Sequence, residues 1–211
     1  MSTATTPILR DRSCVLVIVP ASPALVIAGG ADAAGANLRG EITGILSRYT
    51  EPRIHLVGSR DDRWRTRHRG SFAAWGAPEI RVGEGNHLPE LVQRFLLGPD
   101  AQDRVVDVRG ELGTPSPGVL TIIAIDGSAG LTARAPLALV DGAEVADTWC
   151  RAVLQGKVPA PENADRLRTR GIIEPGLWME LAEIRPLRAK LFAADTTLGV
   201  GRYVAEWEVP A

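Results

Sequence analysis

The chain has 211 residues, 45% hydrophobic and 23% charged, with 24 Lys and Arg against 25 Asp and Glu for a net charge of -1. That apolar fraction excludes disorder over most of the length and suffices for one sizeable core. The balanced charge excludes a partner recruited by electrostatics alone, such as nucleic acid or an anionic membrane, and two cysteines, Cys14 and Cys150, cannot build a secreted disulfide framework, so a reduced cytoplasmic chain is expected.

Residues 1–12 read as a loose N-terminal segment. Residues 13–31 carry no charge and follow Arg10 and Arg12, which superficially suggests a leader or a membrane span. Pro20, Ser22 and Pro23 break that run in its middle. What precedes them, residues 15–19, is strand-length and β-branched, as a buried parallel strand should be.

Leu38, Ile42, Ile45, Leu46 and Tyr49 recur at helical spacing and predict a helix over 36–49. Residues 53–57 predict a second strand ending at Gly58, and 79–82 a third. Asn86 is the expected cap of a helix lined by Leu88, Leu91, Val92, Phe95 and Leu96 and stopped by Gly98. Residues 104–108 read as a strand, 112–117 as a loop, and 119–125 as a strand buried on both faces. Helical stripes follow at Val145, Trp149, Ala152 and Val153 and, after Pro175, at Leu177, Leu181 and Ile184, with 157–163 as a connection. Residues 202–209 alternate and read as a last strand, at an edge. Trp149, Trp178 and Trp207 fall at core-like positions. Strands alternating with helices predict one α/β domain over 1–211: a mostly parallel sheet covered by helices on both faces.

In such a sheet ligands sit beyond the carboxyl ends of the strands. Three expected strand exits are polar, and they nominate Ser22, Ser59, Arg60, Asp62, Asp126 and Ser128 as cleft residues, with turn chemistry as the plainer use of the same residue types. Ser128 lies in Asp126-Gly127-Ser128-Ala129-Gly130, near a nucleophile-elbow pattern but lacking its first glycine. His55, His68 and His87 all precede it and match no short metal motif. The run from Arg60 to Arg69, RDDRWRTRHR, suggests a clamp for a small anion or a solvated loop paired internally with Asp61 and Asp62.

The order of several segments is more specific than any one of them. VPASPALV at 19–26, HLVGS at 55–59, Gly70-Ser71-Phe72, Leu88-Pro89, IDGSAG at 125–130 and GVGRYVAEW at 199–207 together resemble the subunit-B family of class III extradiol ring-cleavage dioxygenases, in a short bacterial branch. The resemblance spans residues 15–207 and implies the α/β sandwich already expected. It also implies an Fe(II) site of two histidines and a glutamate, with a further histidine as acid/base residue. This chain departs at each histidine: Ala21 stands where the first ligand belongs, Ser59-Arg60-Asp61 where the second belongs, and residues 127–134 contain none. The ligand glutamate has no matching position in this chain; Glu206 and Glu208 are nearby in order but match no motif. Alanine offers no lone pair and serine is a poor Fe(II) ligand, so no iron, and no cofactor, is expected at that place.

The leading expectation is therefore a non-catalytic, dioxygenase-like protein whose cleft takes a small anion or a protein partner, with homodimerisation implied by the resemblance alone. Two rivals remain open. One is a metal-dependent enzyme with a rebuilt site of Asp61, Asp62 or Asp126 plus a histidine; the other is a hydrolase using Ser128.

Overall fold

Seven consecutive buried residues, SCVLVIV, form β1 (Ser13–Val19), and their two faces feed two different hydrophobic clusters. The computed structural model describes residues 13–27, 31–50 and 52–211; the segment 1–12, expected to be loose, lies outside the described residues. Strand β1 is followed by the short helix α1 (Ala24–Ile27) and by α2 (Ala33–Leu46). Helix α2 begins earlier than its apolar stripe predicts because Asp32 caps it, accepting a hydrogen bond from the Gly35 N–H at 2.8 Å. Strand β2 (Arg53–Gly58) follows.

The third expected strand exists but lies outside the main sheet: β3 (Ser71–Phe72) and β4 (Ala77–Arg81) pair with each other in a separate ribbon. Helix α3 (Leu88–Leu97) ends at Gly98 as expected. Its N-cap is His87 rather than Asn86, whose side chain turns to the His87 ring instead of the helix. Strands β5 (Val105–Arg109) and β6 (Val119–Ala124) come next, then α4 (Ala143–Leu154), α5 (Ala164–Thr169) and α6 (Gly176–Glu183). The chain closes with β7 (Arg188–Asp195) and β8 (Arg202–Pro210).

The protein is thus mixed α/β around a six-stranded, mostly parallel sheet in the order β5-β2-β6-β1-β8-β7. The first four strands run parallel, and β8 is antiparallel to both β1 and β7. Strand β8 is therefore internal, which corrects the edge position expected for residues 202–209. The edge belongs to β7, which the sequence reading missed: its residues are mostly half-buried, and they show no clean two-residue period.

Leu16 and Ile18 of β1 share a cluster with Trp149, Val153, Trp178 and Leu181 of α4 and α6. Val17 and Val19 belong to another with Leu38 and Ile42 of α2 and Leu91 of α3. Alternation along the strand sends successive side chains to opposite faces of the sheet. The three tryptophans read as core are buried, and each indole N–H finds a main-chain carbonyl: Trp149 on Ala160, Trp178 on Asp126 and Trp207 on Leu154. Among the described residues no helix is long and apolar enough to cross a membrane.

Candidate functional site

Parallel strands β1, β6 and β2 lie side by side, so the loops at their carboxyl ends open at the same edge of the sheet. The chain leaves β1 toward α2 and β2, and β6 returns between those two strands. A crevice forms where successive connections diverge in this way. Here it holds a cavity of about 540 Å³ lined by Ala21, Ser22 and Pro23 after β1, Ser59 to Asp61, Arg63 and Trp64 after β2, and Ile125 to Gly127 and Ala129 after β6. Leu88 and Pro89 at the start of α3 and residues 173–177 at the start of α6 supply further wall. The surface is largely apolar with a few polar groups, the usual make-up of a small-molecule site.

Of the six cleft residues nominated by sequence, Ser22, Ser59, Arg60 and Asp126 line this cavity, whereas Asp62 and Ser128 do not. Asp62 opens a short 3-10 turn (Asp62–Trp64) and points to solvent, 3.8 Å from Arg65. Ser128 is fully buried: its hydroxyl donates to the Arg170 carbonyl at 2.7 Å and accepts from the Gly130 N–H at 3.2 Å. A hydroxyl spent on two main-chain groups and sealed from the cavity fastens a loop; it is not placed to attack a substrate.

Asp126 follows the last residues of β6, and its carboxylate reaches across to the turn after β1. Its Oδ1 accepts from the Ala21 N–H at 3.0 Å, and the Ser22 N–H also bonds the carboxylate. Its carbonyl accepts the Trp178 indole N–H at 2.8 Å, and Gly127 beside it packs so closely on the Tyr203 hydroxyl that a Cβ would collide there. Burial pushes the Asp126 carboxyl up to about 7, overcoming the two N–H groups and the Arg202 charge that pull the other way. A carboxyl near neutrality in a cavity can hold or release a proton under ordinary conditions.

Glu174 is the lining carboxylate that sequence reasoning missed, along with Arg168 and several apolar wall residues. The Glu174 Oε1 accepts from the Ser59 hydroxyl and its Oε2 from the Trp64 indole N–H, both at 2.6 Å. Only the place of Glu174 just before the Leu177 stripe, at a helix start, could have flagged it. Glu206 and Glu208, near in order to the resembled family's closing segment, do not line the cavity: Glu206 accepts from Tyr49 and Arg48, and Glu208 faces Arg188.

The arginine-rich run mostly turns outward or pairs with nearby carboxylates. Arg60 bonds Glu90 at 2.7 Å, Arg63 bonds Asp61 at 3.1 Å, and Arg69 bonds Glu84. Of Arg63, Arg65, Arg67 and Arg69, which alternate along this run, only Arg63 reaches the cavity wall. The histidines are not in that wall either. His55 Nδ1 lies 3.1 Å from an Arg109 guanidinium nitrogen and His87 Nδ1 lies 2.8 Å from the Asn86 amide oxygen. Burial holds both rings below the ordinary histidine value. Among the described residues no group of three or more His, Cys, Asp or Glu is placed to hold a metal ion. No protein-family model and no curated protein matches this chain.

Proposed function

We propose that the protein is a dioxygenase-like domain without ring-cleavage activity, which uses the strand-end cavity to bind a small organic molecule. The observation that carries this reading is the make-up of the wall. The segments after β1, β2 and β6, where the resembled family holds its three histidines, meet in one cavity and bring Ala21, Ser59 and Gly127 there. The cavity itself persists, at the edge of the sheet where such folds bind ligands. The helix-covered sandwich of that family is part of the same proposal, and so is the absence of a cofactor.

Two measurements test it together. After anaerobic incubation with Fe²⁺, Mn²⁺ or Zn²⁺ and removal of loose ions, the protein is expected to retain well under one metal per chain and to consume no oxygen with catechols. A screen of small aromatic compounds, followed by amide NMR, is expected to shift the signals of Ala21, Ser59, Gly127 and Glu174. Stoichiometric iron with catechol-dependent oxygen uptake would overturn the loss of ring cleavage. Ligand-induced shifts confined to other surfaces would overturn the cavity as the binding site.

A further inference from the structure

The polar groups of this cavity are not evenly satisfied, and the imbalance has a sign. Each arginine in the wall already has a carboxylate: Arg60 has Glu90, Arg63 has Asp61, and Arg168 has Asp165 at 2.8 Å. Their side chains are 38%, 52% and 55% exposed, so they stand toward the mouth, where water screens them.

Asp126 and Glu174 differ. Every donor recorded on their carboxylates is neutral: main-chain N–H groups on Asp126, the Ser59 hydroxyl and the Trp64 indole on Glu174. Among the described residues neither forms an ion pair. The cation whose field Asp126 feels, Arg202, is wholly buried and committed to Asp32 and Asp195.

We propose that the cavity is specific for an organic cation, a primary amine whose ammonium is taken up by Asp126 and Glu174 and whose apolar body lies against Trp64, Leu88 and Leu177. The proposal rests on the reading of the cavity as a ligand site. An ammonium supplies three donors and a positive charge, and the two carboxylates offer the acceptors and the missing opposite charge. A carboxylate ligand would instead add a further acidic group beside Asp126 and Glu174, in a wall whose arginines are already paired. The same charge logic fits the raised value of Asp126: burial without an ion-paired partner favours the neutral acid, and an adjacent ammonium favours the carboxylate. Trp64 adds an aromatic surface suited to a cationic or apolar neighbour. This reverses the expectation of a small anion drawn from the arginine-rich run.

The test is an amide NMR titration of the ¹⁵N-labelled full chain at pH 8 with two probes of matched shape, phenethylamine and 3-phenylpropionate. Phenethylamine is expected to shift Ala21, Ser59, Gly127 and Glu174 and to bind at least ten-fold more tightly than 3-phenylpropionate. Asp126→Asn keeps an oxygen for the Ala21 N–H and is expected to weaken the amine at least ten-fold while the rest of the spectrum stays folded. Glu174→Gln, which touches neither β1 nor β6, is expected to weaken it several-fold. Equal or tighter binding of 3-phenylpropionate at the same amides would overturn the cation and leave the cavity as a ligand site. Shifts of those amides by neither probe would overturn both. Undiminished amine binding by both variants would overturn the assignment of the ammonium to these carboxylates.

Discussion

Asp126 is where local chemistry makes the sharpest claim about pH. Its folded value of about 7 lies above the ordinary 3.8, so across that interval the folded chain keeps a proton that the unfolded chain has lost. Stability contributed by this group is therefore full below pH 4, falls as pH rises toward 7, and stays reduced above it. Asp126→Asn removes the penalty and still accepts from Ala21. It is expected to match the wild type in urea unfolding at pH 4 and to exceed it at pH 8 by on the order of 1–3 kcal/mol, less than the full shift implies because cavity water screens the charge. A variant that is more stable yet fails to bind amine cannot be explained by misfolding. Ser128 makes the opposite kind of claim. Its hydroxyl ties the loop after β6 to Arg170, so Ser128→Ala is expected to cost about 1–2 kcal/mol in the same assay. Any hydrolytic activity that dropped with it would contradict a purely fastening role.

Among the elements, those with a strong periodic signal were legible and those held by distant partners were not. Strands β1 and β6 announce themselves by continuous apolar runs, because both faces are buried. Strand β7 carries no such run, since its residues sit at the rim of the sheet. Its place is fixed by pairing with β8 and by one buried cluster that no local pattern reveals. Arg202 at the start of β8 is fully buried and bonds both Asp32, the cap of α2, and Asp195, the last residue of β7. One guanidinium thus ties α2 to the consecutive strands β7 and β8, which lie far from that helix in sequence. Arg202→Met would leave two carboxylates without their cation, and breaking a buried pair from one side costs about 3–5 kcal/mol. Chemical denaturation should read that loss. Adding Asp195→Asn should recover part of it, because the second change removes one of the stranded charges. A loss below 1 kcal/mol would mean that water replaces the arginine at little cost.

At the scale of the whole molecule, the strand-end part of the site was more legible in the sequence than the part supplied from the α6 side. Polar residues after apolar strands are visible in a string of letters, so Ser22, Ser59, Arg60 and Asp126 could be nominated before the strands were known to be neighbours. Glu174 arrives from the segment just before α6, far in sequence from the Ser59 and Trp64 that it meets, and the charge balance that favours a cation follows from pairings such as Arg60 with Glu90. Neither is a property of spacing. The same dependence on distant contacts bears on whether the molecule opens as one unit, and the two cysteines report on it. Cys14 on β1 and Cys150 on α4 are buried free thiols in one hydrophobic cluster, and burial pushes both thiols up and makes them unreactive. They sit in different layers, one in the central sheet and one in a helix packed on it. If the domain unfolds cooperatively, both should label with a thiol reagent only through global opening, with the same dependence on urea. Mass spectrometry of the labelled peptides separates the two sites. Faster labelling of Cys150 would show that the α4 layer detaches while the sheet remains, and it would remove Trp149 of α4 from the edge of Trp178, the α6 residue that holds the Asp126 carbonyl.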